Sequence, residues 1–451
     1  MAIYDNMKHI EEELIRCMKC GNCQAVCPVY KETLSESGVA RGKIQLAAKI
    51  LKGDAKYTPE LYKKFDLCLQ CQACTANCPC GVKAHKIILA ARAELARQQM
   101  LPFAKKAAFN VLKSPKLFDF GLRLGSAFQG LAFRRSGSGM SPRFPIGLEM
   151  RRVVPALADK PMRSLLPEVN KAPNSRKKVA FFTGCVTNYI YTSVGQAVVD
   201  VLNRNGVDVI IPKEQHCCGA PAVINGDVET GKAMAKSHVD IFSKHDVDAI
   251  ITVCGTCGGS FEQKYVELLA DDPVYAEKAK AVAAKIKDIS EYLVDDLKVD
   301  FSQLGEVPIT FTYHEPCHIG RGMGLTRQPL EMLTKLPGIT YKPMQQPNRC
   351  CGGAGSFSLT NYPVSYKILK KKVDDIQGTN STVVVTGCGS CRMQIEDGLA
   401  QENMPHKVMH VIEVVQKAYQ NAKEKPAGKP SAKEKAKASD QKGNKKGKKV
   451  S

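Results

Sequence analysis

The chain has 451 residues, of which 44% are hydrophobic and 24% charged. That balance belongs to globular domains and excludes a disordered chain, a collagen-like chain and a small disulfide-stapled scaffold. Lys and Arg outnumber Asp and Glu by 65 to 44, and there are 19 cysteines but no Trp.

The N-terminal segment MAIYDNMKHIEEELIR is acidic and lacks the apolar core of a signal peptide, so the protein is expected in the cytoplasm. Thiols stay reduced there, which points the cysteines to metal rather than to disulfides. The uncharged run from Val179 to Val199 carries Thr183, Gly184, Asn188, Gly195 and Gln196, and reads as buried core, not as a membrane span.

Cys17, Cys20, Cys23 and Cys27 precede Pro28, and Cys68, Cys71, Cys74 and Cys78 precede Pro79. Each is the C-x2-C-x2-C-x3-C-P run that holds a 4Fe–4S cluster. The close triplet wraps one face of a cube, while the fourth Cys, turned away at the Pro, serves the other cube. The expected sets are therefore Cys17, Cys20, Cys23 and Cys78 for one cubane cluster, and Cys68, Cys71, Cys74 and Cys27 for the second. Zinc is the competing reading of such pairs, and Cys80 is left over as a packed thiol. Between the runs, SGVARGKIQLAAKILKGD has helical spacing with a stop at Gly53; after them, VKAHKIILAARAELARQQ is a second helix. This stretch, residues 1–95, resembles the helical two-cluster ferredoxin module of respiratory dehydrogenase iron–sulfur subunits.

The excess charge is localised. Residues 95–178 hold 17 Lys/Arg against 4 Asp/Glu, and residues 421–451 hold 11 Lys against 3 acids, which leaves the rest neutral. LPFAKKAAFNVLKSPKLFDFGLRLGSAFQGLAF predicts an amphipathic helical piece broken at Pro115 and Gly125, and RRSGSGMSPRFP onward predicts an extended linker. This connector, 96–178, either packs on the protein's own domains or forms a dock for an acidic partner or the anionic inner face of the membrane. Nucleic acid is not expected, because no reading motif accompanies the charge. The Lys-rich tail, 419–451, cannot build a core and is expected to be disordered, as a solubility tail in preference to a binding segment.

The remaining cysteines repeat. Cys185, Cys217, Cys218, Cys254 and Cys257 are followed by Cys317, Cys350, Cys351, Cys388 and Cys391, at offsets of 132, 133 and 134 residues. The text around them agrees, CCGAP with CCGGAG and TVCGTC with VTGCGSC, so the region is an internal duplication. KKVAFF, VDVIIP and DAIITV read as strands in the first half, and VPITFTYH, ITYKPM and STVVVT in the second. Helical stretches such as VGQAVVDVLNRNG and VETGKAMAKSHVDIFSKH separate them, which predicts buried parallel strands with the cysteines at their carboxyl ends. Five thiols exceed the four a cube needs. Adjacent thiols such as Cys217 and Cys218 diverge and suit two irons of a more open cluster. A vicinal disulfide, or zinc held by four of the five in one half, remains as an alternative.

These blocks resemble the paired CCG domains of the heterodisulfide reductase catalytic subunit and of the iron–sulfur subunits of glycolate oxidase, lactate utilisation complexes and anaerobic glycerol-3-phosphate dehydrogenase. With the ferredoxin module the resemblance covers about residues 1–418. It implies a multidomain protein: an α-helical two-cluster ferredoxin domain (1–95), the basic connector (96–178), and two repeated α/β, Rossmann-like CCG domains with parallel sheets (179–300 and 301–418). It implies a further iron–sulfur cluster, of the non-cubane kind, in each block.

His216, His314 and His318 flank these cysteines as proton donors or as hydrogen bonders to sulfur or carbonyl, the latter being the preferred role. His85, His238 and His245 read as ordinary helix or loop residues. The chain carries no flavin or nicotinamide fingerprint, since SGSGM follows two arginines and not a strand. FAD is therefore expected in a partner subunit. The expected function is electron relay from a flavoprotein that oxidises lactate or glycolate to a membrane quinone, a membrane cytochrome or another carrier. The alternative is a catalytic disulfide reductase.

Overall fold

The computed structural model describes Tyr4 and residues 6–137, 139–145 and 147–422. Near the N-terminus, the helices Ala40–Leu51 and Ala84–Arg97 form where the spacing predicts them, and Gly53, at φ +77°, ends the first. Ile44, Ala47, Ile87 and Ala91 lie in the core that they share. Ala84–Arg97 is buried on nearly every face, because Leu89 and Ala93 also join the core of the α/β half that follows. The two bodies meet closely: a Cβ on Gly226 would stand 2.2 Å from the Arg92 carbonyl oxygen. The Arg92 guanidinium donates to the carbonyls of Phe65, Asp66 and Cys68 on one side and Ile224 on the other.

The connector differs from expectation in two places. Pro115 does separate two helices, Phe103–Lys113 and Pro115–Ala132, but it does so by starting the second, at a position where its missing N–H costs nothing. Gly125 lies inside that second helix and does not break it; its bare backbone lets Leu157 approach. The extended linker predicted from Arg134 onward begins instead as a hairpin. Strand β1 (Phe133–Ser136) pairs antiparallel with β2 (Gly139–Pro142), and Gly137, at φ +56°, supplies the turn. Ser/Gly composition reads as linker, but a two-residue hairpin turn needs the same residues.

The first α/β half contains β3 (Val169–Asn170), β4 (Lys177–Phe181), β5 (Val207–Ile210), β6 (Ala249–Thr252) and β7 (Ile286–Asp288), in the sheet order β3-β5-β4-β6-β7. The second contains β8 (Thr310–His314), β9 (Thr340–Tyr341), β10 (Val383–Thr386) and β11 (Lys407–His410), in the order β11-β10-β8-β9. Apart from β3, every pairing in the two sheets is parallel, so the predicted parallel sheet gains one antiparallel edge strand. Without β3 the two orders coincide, and the duplication extends to topology. Strands β6 and β10 are buried throughout, as continuous apolar runs flanked by helices should be. One core unites both halves through the helices Thr192–Arg204 and Val411–Asn421. The latter helix runs past residue 418 into the stretch assigned to the tail. The rest of the tail, from 423, lies outside the described residues. Among the described residues no helix is long and apolar enough to cross a membrane.

Candidate metal centres

The two N-terminal cysteine loops turn through left-handed residues, Lys19 (φ 58°) and Gly21 (φ 90°) in the first, Gln70 (φ 53°) and Gln72 (φ 60°) in the second. Non-glycine residues rarely adopt this conformation, and it is tolerated where a site fixes it. Cys27 caps the helix Pro28–Thr33: its Sγ accepts from the Tyr30 N–H at 3.4 Å, and Pro28 occupies the first helical position. That cap turns Cys27 toward the other loop. Cys17, Cys20, Cys23 and Cys78 line one pocket, with Cys74 and Cys80 also on its wall. Cys27, Cys68, Cys71 and Cys74 line the next. The structure thus brings together the members of each crossed set. Burial pushes the Cys27 thiol up to about 12, against the pull of the Tyr30 hydrogen bond. Burial and the neighbouring Cys71 and Cys68 also raise Cys74. Thiols crowded this way ionise together only when a cation neutralises them, and an all-sulfur donor set suits soft metal centres.

All ten cysteines of the duplicated blocks line one cavity of about 130 Å3. Cys185 follows β4 and Cys254 follows β6, adjacent strands whose connections leave in opposite directions. That is the switch point where open α/β sheets bind ligands. Cys317 and Cys388 follow β8 and β10 in the same way. The thiols form a continuous row. Cys217 touches Cys185 and Cys218, Cys218 touches Cys257, and Cys257 touches Cys254. Across the boundary between halves, Cys254 Sγ lies 3.7 Å from Cys388 Sγ. The row continues through Cys391, Cys351 and Cys350 to Cys317. Hydrogen bonds from Cys350 and Cys391 hold the Cys351 thiol well below its usual range. All ten are free cysteines, so neither vicinal pair is bridged. At the far end of the row Cys350 also touches Cys71 of the N-terminal module. Val29, Leu69, Phe357 and Ile368 pack against one side of that junction, and the other side borders an open polar pocket lined by Arg321, Asn348 and Lys371.

The histidines divide. His216 is held by the Cys217 carbonyl and Ser237 Oγ, each at 3.0 Å. His318 bridges Thr256 Oγ1 and the Gln70 carbonyl, at 2.9 and 3.1 Å. Both fit the hydrogen-bonding role. His314 is different: it is buried, neither ring nitrogen has a hydrogen-bond partner, and its ligand atom lies within 4.8 Å of Cys351 and Cys391. Burial and the Lys372 charge keep it neutral.

Two histidines with no mark in the sequence also belong to the sites. His85 lines the second N-terminal pocket and meets Thr75 Oγ1 at 3.0 Å. His238 is fully buried beside His216, with ring centroids 4.0 Å apart. Its Nε2 accepts from the His216 N–H, so its proton sits on Nδ1, facing Tyr265 Oη, which in turn donates to the Cys218 carbonyl. Lys372 is a third such residue, its ammonium fully buried behind Cys350 and Cys351. Its place in KKK on a polar helix face gives no sign of this; its alignment with His238 in the duplication does.

Comparison with known proteins agrees with this layout. The cysteine-rich CCG domain model matches residues 179–262 and 311–396, and the 4Fe-4S dicluster domain model matches residues 13–82. The chain is 32% identical over 432 residues to the probable glycolate oxidase iron-sulfur subunit of Bacillus subtilis, covering 90% of this chain and 94% of that one. It is 35% identical over 240 residues to a lactate utilization protein of an Exiguobacterium species, covering 53% of this chain and 97% of that one. It is 26% identical over 429 residues to a subunit of the CoM/CoB fumarate reductase of Methanothermobacter marburgensis, covering 87% and 81% respectively.

Proposed function

Since the chain belongs to the family of CCG-domain iron–sulfur subunits that includes the glycolate oxidase iron-sulfur subunit, we propose that it is the electron-transfer subunit of a 2-hydroxy acid dehydrogenase complex. A partner flavoprotein takes one hydride, with the hydroxyl proton released, from lactate or glycolate, and this chain carries the two electrons onward one at a time to a quinone or another carrier.

The observation that supports this best is the order of the cysteine sets. Cys74 borders both N-terminal pockets, Cys71 touches Cys350 of the second α/β half, and Cys388 of that half lies 3.7 Å from Cys254 of the first. Cys17, Cys20, Cys23 and Cys78 would hold one cubane cluster; Cys27, Cys68, Cys71 and Cys74 the second; each five-cysteine block a further one. Such clusters supply one-electron carriers, which no side chain here offers. The chain's own residues set the order of the sites and tie down the loops: Arg321 Nε, for example, donates to the Cys71 carbonyl at 2.8 Å.

Anaerobic stopped-flow spectroscopy tests the proposal. The isolated chain should oxidise neither lactate nor glycolate, yet take electrons from dithionite and from its flavoprotein. Substrate oxidation by the flavin-free chain overturns the relay. Rapid cleavage of a thiol disulfide by the reduced chain replaces it with the disulfide reductase alternative.

A further inference from the structure

The helix Pro115–Ala132 is inside out. Three of its polar side chains face the protein: Asp119 pairs with Arg163 at 3.3 Å, Ser126 Oγ donates to the Ala158 carbonyl at 3.1 Å, and Gln129 is the third. Gln129 closes a two-way bond with the Leu157 backbone, donating at 3.2 Å and accepting at 2.9 Å. Phe118 also faces inward, but five other large apolar side chains face away. Leu117, Phe120, Leu124, Phe128 and Leu131 are between 49% and 71% exposed. Their spacing of three and four residues sets them in one stripe along the helix. Gly121 and Ala127, also exposed, border the stripe. Phe144, half exposed, lies next to Arg143, whose Nε donates to the carbonyls of Gly130 and Phe133 at the helix end.

Charge identifies what covers this stripe. From 113 to 143 there are six cations, Lys113, Lys116, Arg123, Arg134, Arg135 and Arg143, all exposed, and one acid, Asp119, which is turned inward. Aromatics and arginine also suit a protein interface, but such an interface carries about one hydrogen bond per 100–200 Å2, and this stripe of Leu, Phe, Gly and Ala side chains offers no group to make one. A hydrocarbon stripe flanked only by cations is the pattern of a helix lying in the plane of a bilayer, with its apolar face among acyl chains and its cations among phosphates. No described helix is long and apolar enough to cross. We propose that the Pro115–Ala132 stripe and its flanking cations seat the protein flat on an anionic phospholipid surface.

The seat has a consequence for the relay, and in that part it rests on the relay reading. Arg163, held by Asp119, also donates to the Lys213 carbonyl at 2.6 Å and to Tyr189 Oη at 3.1 Å. Tyr189 ends the short helix that carries Cys185, and Phe118 stacks edge-on against it, with centroids 5.3 Å apart. The lipid-facing helix therefore rests on the first α/β half, at the opposite end of the cysteine row from Cys71. Electrons reaching that half arrive beside the membrane, where a lipid-dissolved quinone can take them.

Co-sedimentation of the holoprotein with vesicles tests the seat. Binding is expected to vesicles containing phosphatidylglycerol and not to phosphatidylcholine alone, and to weaken as salt rises. Phe120→Ser with Phe128→Ser should weaken binding at least tenfold while iron content and the visible spectrum stay unchanged. Arg134→Gln with Arg135→Gln should weaken it less and flatten the salt dependence. This second pair keeps the test decisive if the first fails to fold. Absence of binding, or binding that both pairs leave intact, overturns the proposal, the latter by assigning it to the Lys-rich tail. Slower reduction of the Phe120→Ser, Phe128→Ser protein by its flavoprotein in lipid-free solution, with no vesicle binding by the parent, assigns the stripe to the partner subunit. Vesicle binding needs no electron transfer, so it stands or falls apart from the relay.

Discussion

The two α/β halves carry the same five cysteines on the same strands, yet the shells behind them are opposite in character. Behind the first block, Phe182, Phe242, Phe261 and Tyr265 enclose His238 in an aromatic cage. The equivalent positions of the second half are His314, Ile376, Ile395 and Leu399, and Lys372 stands where His238 does. His238 is neutral, because burial and the neighbouring His216 keep its proton affinity well below normal. Lys372 is a cation in a dry place. Burial pulls it down to about 8; its ammonium donates to the Gln346 carbonyl at 2.6 Å, the Pro347 carbonyl at 3.3 Å and Met344 Sδ at 3.6 Å, and the Asp375 carboxylate lies 4.0 Å away, beyond hydrogen-bond reach. Duplication kept the five cysteines and let the electrostatics around them diverge. Adding an electron costs less beside a buried cation than inside an aromatic cage, so the second site should be the more easily reduced of the two.

The largest effect tests whether the halves are separate sites at all. Four occupied sites imply about sixteen irons per chain. Cys351→Ser should remove about four of these and leave the signal of the first block intact, as read by anaerobic metal analysis and paramagnetic resonance. Loss of about eight would mean that Cys254 and Cys388, 3.7 Å apart, belong to one joint centre, and the comparison of halves would collapse. About eight irons with one or two zincs in the parent protein would instead make a block redox-inert, with His314, Cys351 and Cys391 as ready zinc ligands.

Next in size is the docking of the N-terminal module, which each half receives at the equivalent turn. In the first half Gly226 has φ +94° and leaves no room for a Cβ beside Arg92. In the second, Thr360 and its neighbour Asn361 donate to Asp66 at 3.3 and 3.1 Å. Gly226→Ala combines a strained backbone with a clash against main chain and should cost about 3 kcal/mol or more. Asn361→Ala loses its one hydrogen bond to the module and an exposed one to Thr360, and should cost about 1 kcal/mol. Thermal unfolding followed by the visible absorbance of the N-terminal clusters distinguishes them. Equal losses would mean that the module leans on both halves alike.

How much of this was legible in the sequence follows from what constrains each feature. Cysteine spacing is set by the reach of a short side chain to a metal, so the cysteine sets and the duplication were readable, as were β4 to β6 and β8 to β10 with their apolar runs. Strands β7 and β11 are three and four residues long and contain Lys287, Asp288 and Lys407, so no hydrophobic pattern marks them. Only the repeat does, IKDISE against VMHVIE. The inward Lys372 and the outward Phe120 are invisible for a shared reason. A helical pattern gives the angle between residues, and the side that faces the core is settled by what packs there.

A smaller effect is expected at Lys372. Removing one buried unit charge near the site is worth about 1–2 kcal/mol at an effective dielectric of about 20, or several tens of millivolts for a one-electron step. Lys372→Met should lower the midpoint potential of one centre by that order and leave the others alone, with iron content unchanged. Potentiometric titration followed by paramagnetic resonance reads it. A shift in the centre that Cys218→Ser abolishes, in place of the one that Cys351→Ser abolishes, would invert the assignment.

The smallest effect belongs to the cage. Tyr265 Oη links His238 Nδ1 to the Cys218 carbonyl, with bonds of 3.0 and 2.9 Å. Tyr265→Phe keeps the ring, its packing on Phe261 and the neutral charge of the shell, and loses only the hydroxyl. The two buried partners lose a hydrogen bond, so stability should fall by about 1 kcal/mol. The potential of the first site should barely move, because no net charge changes near it. A shift as large as that from Lys372→Met would show that the dipole chain from His216 through His238 and Tyr265 sets the potential there, and that the two halves reach the same end by different means.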